Sequence, residues 1–420
     1  MSISFHMEKD HQIYSNKCEK LILCACLFWI FVNLDSFFIW NRFENILRMI
    51  AAIGVFFSSI VLSRYHLLCL TNRTFLPLVS IFLYYLWHTM SMDDNVFKLI
   101  GRSFSFVPLL LIICWPKNML FNIYKYFRVI IIFFAVGSFF VSILTFIGLI
   151  DHIPFFVLGP RSALHERMGV EYHVYGLFVT NYGAAEIFPR ACGMLQEPGH
   201  FSIILGFVYM TDRLLKRKPS IWIILCGIMT FSSTFVLLVS VTEIFRITTK
   251  RQVWLLLKAI VCTLFLITIA YFSLSKDWQE QINYLAYERN LKDVVAAGSL
   301  NEALDERINS SGDAVLRNIN SSNIWTGLHM NDDDVILSDY RGVIVKSGLI
   351  GLLLLVMAGV FTVRGVSFRI KCSLLFFLAL VLIHRSWMYG SAYIFFLSFM
   401  ATSAVLFSTL NTQSVVLKKN

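Results

Sequence analysis

Charge is scarce in this chain. Only 15% of its 420 residues are Asp, Glu, Lys or Arg, against about a quarter in water-soluble domains. Hydrophobic residues make up 57% of the sequence and mean hydropathy is +0.69, a balance that excludes a water-soluble globular class. Cysteine offers no framework either. The nine cysteines are scattered, mostly within apolar runs, and only Cys192 falls in an expected external loop, so no disulfide set is implied. There is no Walker lysine loop, no G-x-G-x-x-G opening a helix after a strand, and no Cys/His zinc spacing. Nucleotide-driven chemistry therefore has no support. No internal repeat, Pro/Gly linker or low-complexity tract divides the chain. Met1–Lys20 is too long and too charged for a signal-peptide n-region, and no small-residue cleavage site follows Leu21–Trp40. That first apolar segment is expected to be a retained helix.

What is present is a series of apolar segments near membrane-crossing length. They lie at about 21–40, 46–63, 74–90, 98–115, 128–150, 199–213, 219–231, 233–247, 253–273, 344–364, 371–384 and 390–409. The pair 219–231 and 233–247 is the doubtful one. As a single helix, 219–247 would span ~42 Å, well beyond a hydrocarbon core of ~30 Å, and Ser232-Ser233-Thr234 supplies a polar break. Two short helices also bring Arg213–Lys218, Arg246–Arg251, Arg364–Lys371 and Lys418-Lys419 to one face. The positive-inside rule makes that face cytoplasmic. The expectation is an all-α polytopic membrane protein with about twelve transmembrane helices, both termini inside, and one transmembrane domain over 1–420.

Two long loops then share the outer face, 151–198 and 275–343. The larger carries six Lys/Arg against twelve Asp/Glu, a net of −6 within a chain of net +10. The basic excess elsewhere reflects membrane topology, not a nucleic-acid partner. Trp278, Ile282 and Leu285, then Leu300, Leu304 and Ile308, recur at helical spacing. The larger loop is therefore expected to form a helical cap.

Ionisable residues gather at the outer boundary. Arg190-Ala-Cys-Gly-Met-Leu-Gln-Glu197-Pro198-Gly-His200 sets an arginine, a glutamate and a histidine beside a proline suited to a first helical position. A helix start carries unpaired N–H groups and partial positive charge, which suit an anion. Arg161, His165, Arg167 and His173 precede it; arginine forks match pyrophosphate oxygens, but taken singly these four read first as solvated loop charges. A second cluster runs from His329 and Asn331 through Asp332-Asp333-Asp334 to Arg341 and then Gly348 and Gly351. His329 has the chemistry of a general base, the acidic triplet lacks calcium-loop alternation, and the two glycines read as close helix packing. Arg317 leads towards that cluster, whereas Arg307 reads as a surface charge. His384 and Arg385, like Lys98 and Arg102, lie at outer helix ends, facing a cavity or snorkelling to headgroups.

Arg190-x-x-Gly193 with Glu197-Pro198 resembles the signature of bacterial O-antigen polymerases and related exopolysaccharide polymerases. His329-x-Asn331, followed by Leu337 and Gly348-Leu-Ile-Gly351, is similar to the pattern of the wider O-antigen polymerase and ligase superfamily. The order of helices and loops matches across nearly the whole chain, while the motifs cover only about 161–200 and 317–351. The resemblance implies a C-type glycosyltransferase-like architecture in the bacterial inner membrane, with the active site at the periplasmic face. It implies metal-independent, cofactor-free transfer between undecaprenyl-pyrophosphate-linked glycans. Arg190, Glu197 and His329 would be catalytic. Arg161, Arg167, His200, Arg317, Asn331, Arg341 and Arg385 would contact substrate or pyrophosphate. Partners would be carrier-lipid glycans, membrane lipid, a chain-length regulator and a flippase. The acidic run after Asn331 departs from ligase-type sequences. The alternatives are an O-antigen ligase acting on lipid A core and a lipid-linked oligosaccharide flippase. The lack of a repeat, and of midplane charge beyond Asp35 and Glu243 near helix ends, disfavours the flippase.

Overall fold

Apolar runs become helices here, and they stop where the backbone is forced to turn. A computed structural model describes residues 16–34, 36–39, 44–91, 96–158, 171–182, 190–246, 323–328 and 340–417, with 272, 276, 279 and 280. Among the described residues five helices come first: α1 (Asn16–Asn33), α2 (Glu44–Arg64), α3 (Asn72–Met90), α4 (Val96–Ile113) and α5 (Lys117–Phe146). After a small sheet come α6 (Pro198–Leu214), α7 (Ile221–Met229) and α8 (Ser233–Arg246). The last three are α9 (Tyr340–Thr362), α10 (Phe368–Arg385) and α11 (Tyr393–Leu417). Among the described residues, four helices are long and apolar enough to cross a membrane: Asn45–Arg64, Lys117–Phe146, Tyr340–Thr362 and Tyr393–Asn411. The apolar segment at 253–273 lies almost wholly outside the described residues, as do most of 275–343 and Asp35.

Burial sorts the helices into inner and outer ones. Every residue of α6 from Pro198 to Asp212 is buried, as expected of a helix apolar on all sides and packed at the centre. α11 is also internal, with 72% of its most apolar window buried, against 33% for α2 and α5. The outer helices present Phe56, Phe57, Phe133 and Phe140 outward, each at least half exposed. In water such a surface would drive association; against lipid it is the expected exterior.

The chain breaks between α7 and α8, where a polar interruption was expected. Phe231 takes a left-handed φ of 48° in the turn, and α8 then runs parallel to α6. Ser202 and Ser232 hydroxyls lie 2.9 Å apart, Leu238 packs against Gly206, and Tyr209 donates to Glu243 at 2.9 Å. Arg213 and Arg246 both bind Glu243, so these two arginines stand at one end of the bundle. Arg217, over the Phe121 ring at 5.1 Å, and Arg128, paired with the fully buried Asp212 at 2.7 Å, belong to the same basic end.

Residues 151–197, read from sequence as a loop, instead carry a four-stranded antiparallel sheet in the order β1-β2-β3-β4. The strands are β1 (Phe156–Leu158), β2 (Glu171–Tyr175), β3 (Phe178–Tyr182) and β4 (Arg190–Gly193). Tyr172, Val174, Val179 and Cys192 form its buried face. Gly176, at φ 65°, opens the two-residue turn that pairs Tyr175 with Phe178. The Phe178 ring lies over Gly137, where a Cβ would sit 2.0 Å from it, which seats the sheet on α5.

Candidate functional site

The Arg190–His200 stretch is held at the end of the bundle opposite the basic cluster. β4 ends at Gly193, whose φ of 65° and contact with the Phe201 ring leave no room for a Cβ. The Leu195 amide then donates to the Cys192 carbonyl at 2.9 Å, and the Phe37 amide to the Met194 carbonyl at 2.8 Å. Glu197 is extended (φ −122°, ψ 137°) and caps α6 with its carbonyl, which accepts from the Phe201 amide at 3.1 Å. Pro198 occupies the first helical position, the place where a missing N–H costs nothing.

Three groups from distant parts of the chain converge here. The Arg385 guanidinium, at the end of α10, pairs with the Glu197 carboxylate at 2.7 Å; the two side chains are 29% and 20% exposed. It also lies directly over Gly199, where a Cβ would be 2.7 Å from its Nη2. A cation resting on a helix start is opposed by the helix's own partial charge, so the carboxylate beside it keeps it there. Behind the pair, the His200 Nε2 and Tyr393 hydroxyl lie 2.8 Å apart with stacked rings. His200 is only 1% exposed. In this geometry it ties α6 to α11 and does not open onto the surface. Arg190 donates from Nε to the Thr230 carbonyl at 3.2 Å, which fixes β4 to the α7–α8 turn. Tyr172, buried in β2, has its phenol pushed well above its ordinary value, first by burial and then by nearby Cys192 and Glu197. It remains a neutral hydroxyl at the edge of the site.

The described part of the second sequence cluster, from Arg341 to Gly351, lies at the same end. Helix α9 is interrupted at Gly348 (φ 67°, ψ −173°), where only close packing was expected. The break orphans backbone groups, and residues 323–328 satisfy them. Leu349 and Ile350 amides donate to the Ile324 and Trp325 carbonyls at 2.9 and 3.2 Å, and the Leu328 amide donates to the Val345 carbonyl at 2.8 Å. A Cβ on Gly348 would sit 2.1 Å from the Trp325 carbonyl oxygen. From α3, the Trp87 indole donates to the Ser347 carbonyl at 2.8 Å, and His88 Nδ1 and the Ser91 hydroxyl meet the Ser347 hydroxyl at 2.9 and 3.1 Å. The turn Ser386–Ser391, which follows Arg385, touches α9, α10 and α11. Tyr85 of α3 donates to its Tyr389 carbonyl at 2.6 Å. The Glu197–Arg385 pair and the Gly348 break are thus braced by one turn.

Of the residues singled out in the sequence, Arg190, Glu197, His200 and Arg385 come together around the start of α6. Arg341 is half-buried, in the first turn of α9 ahead of the break. Arg161, Arg167, Arg317, His329 and Asn331 lie outside the described residues; Leu328, one residue before His329, is anchored on Val345. Tyr393, Thr230, Trp87, His88, Ser91 and Ser347 were missed. His88 and Ser91, polar at a three-residue spacing at the end and C-cap of an apolar helix, were the available signal. Among the described residues no three His, Cys, Asp or Glu side chains are grouped to hold a metal ion. No protein-family model, curated protein or solved structure matches the chain.

Proposed function

We propose that the chain is a polysaccharide polymerase of the O-antigen type, joining undecaprenyl-pyrophosphate-linked repeat units at the periplasmic face of the inner membrane. The observation that carries this reading is the Glu197–Arg385 pair at the start of α6, with Arg190 on the adjoining strand. It joins a carboxylate to a guanidinium at the non-basic end of an apolar bundle, where ionisable groups default to function. In this reading about twelve helices cross the membrane, the basic end is cytoplasmic, and both termini lie there.

The chemistry asked of the site is modest. An acceptor sugar hydroxyl attacks the anomeric carbon of the donor, the bond to the pyrophosphate oxygen breaks, and the hydroxyl proton passes to a base. Arginine forks take up the charge that develops on the departing pyrophosphate. An incoming pyrophosphate competes with Glu197 for Arg385, and the carboxylate released from that pair can accept the proton. His329 is the other candidate base. Arg161, Arg167, Arg317, Asn331 and Arg341 are proposed to extend the anion-binding surface.

Deleting the gene and resolving lipopolysaccharide on a gel tests the reading. Collapse of the long ladder to a single repeat unit is expected. An unchanged ladder rejects a polymerase, and loss of even the single-repeat band identifies the ligase alternative. Arg190→Ala is expected to abolish the ladder while the protein still inserts at matched expression, and a ladder of normal length in that variant removes Arg190 from the site.

A further inference from the structure

A cleft opens at the basic end, away from the site just described. It lies between α1 and α5, has a volume of about 290 Å³, and is lined by Glu19, Lys20, Leu23, Asn122, Lys125, Tyr126 and Val129. Both helices run from the basic end inwards, so rising residue number means greater depth on either wall. The lining chemistry changes in step with that depth. Outermost, the half-buried Glu19 carboxylate accepts from the Asn122 side chain at 3.0 Å. At the same polar end stand the exposed amines of Lys20 and Lys125, the latter drawn back to Asn122 Oδ1 at 3.2 Å and to the Phe121 ring at 4.5 Å. Deepest are the buried Leu23 floor and the exposed Val129.

We infer that this cleft binds a glycerophospholipid with an ethanolamine headgroup from the surrounding leaflet. One carboxylate and two amines side by side, over apolar surface, are the complement of a zwitterionic ammonium–phosphate headgroup over its acyl chain. The dimensions agree as well. Asn122 to Val129 spans ~10 Å of helix, enough to cross a headgroup layer of ~5–8 Å and enter the hydrocarbon. Lys20 and Lys125 act as point charges on the phosphate, and their stems lie along the apolar wall. Glu19 confers the preference, because its carboxylate attracts the ethanolamine ammonium, whereas the uncharged glycerol of an anionic headgroup offers it no cation and the anionic phosphate repels it.

Full-length protein in mild detergent, stripped of lipid, is titrated with mixed micelles of phosphatidylethanolamine or phosphatidylglycerol. Native mass spectrometry then reads the fraction carrying one lipid. Wild type is expected to retain phosphatidylethanolamine at least severalfold better than phosphatidylglycerol. Lys20→Ala with Lys125→Ala is expected to weaken retention of both about tenfold, and Glu19→Gln to bring the two lipids level. Equal retention of both lipids by wild type, or unchanged retention in the double lysine variant, overturns the assignment. If the lysine variant folds poorly, Val129→Trp fills the acyl end at an exposed position and serves in its place. Unchanged retention there overturns the assignment equally.

Discussion

Glu197 and Arg385 are 188 positions apart in sequence and 2.7 Å apart in space. Each was legible alone: Glu197 by its place before Pro198, Arg385 by its place at a helix end. Their pairing was not, because nothing local encodes a contact made by tertiary packing. The same holds for Arg190, whose partner is a backbone carbonyl at Thr230, and for His200, whose stacking on Tyr393 turns an expected surface ligand into a buried tie. The fork matters as much as the charge. Arg385→Ala is expected to lower polymerisation by on the order of 100-fold, the usual loss for one transition-state donor. Arg385→Lys should recover only part of it, since an ammonium lacks the planar pair of donors. Near-wild-type ladder formation by Arg385→Ala, at matched insertion, would show that the pair is structural only.

At the scale of elements, helix positions were readable and interruptions only partly so. Periodicity and length placed the apolar segments, and Ser232-Ser233-Thr234 announced the α7–α8 break. The sheet was missed although Glu171–Tyr182 carries its signal. Aromatic and β-branched residues flank Gly176-Leu177 there, which is hairpin chemistry at two-residue spacing. Membrane context drew attention to helices and left a twelve-residue hairpin unread. Gly348 was read as packing because a glycine in an apolar helix has that meaning most often. Its ψ of −173° puts it in a region that non-glycine residues hardly enter. Gly348→Ala is accordingly expected to destabilise the α9 break by about 1–3 kcal/mol and release residues 323–328, increasing protease cleavage of 275–343. Gly359→Ala on the same helix, where a Cβ would meet Leu378 at 3.2 Å, is the comparison and should cleave like wild type. Equal cleavage of all three proteins would refute the clasp.

Across the whole molecule, the basic end is held by buried charge and not only by apolar packing. Asp212 is 0% exposed and accepts two bonds from Arg128 at 2.7 and 2.8 Å and one from Tyr124 at 2.8 Å. It joins α5 to the central α6. Removing one partner of such a pair leaves an uncompensated charge. Arg128→Ala should destabilise the protein by about 3–5 kcal/mol, whereas Arg128→Leu with Asp212→Leu should regain much of that loss. Thermal unfolding in detergent distinguishes the two, and equal midpoints for single and double variants would count against the pair. Sequence alone did not single out Asp212, since an acid between Thr211 and Arg213 reads as part of the helix end.

The turn at Thr230–Ser232 also has a consequence of parity. Each helix that runs the thickness of the bundle exchanges one end for the other, so an uninterrupted 219–247 would set Arg246 down beside Glu197. Because the chain doubles back instead, Glu243 returns to Arg213 and brings its neighbour Arg246 with it, and the count of passages is shifted by one for every residue downstream. Three residues thereby decide from which end the remaining 174 positions set out, and with that the side on which any reporter fused beyond Arg246 would be found.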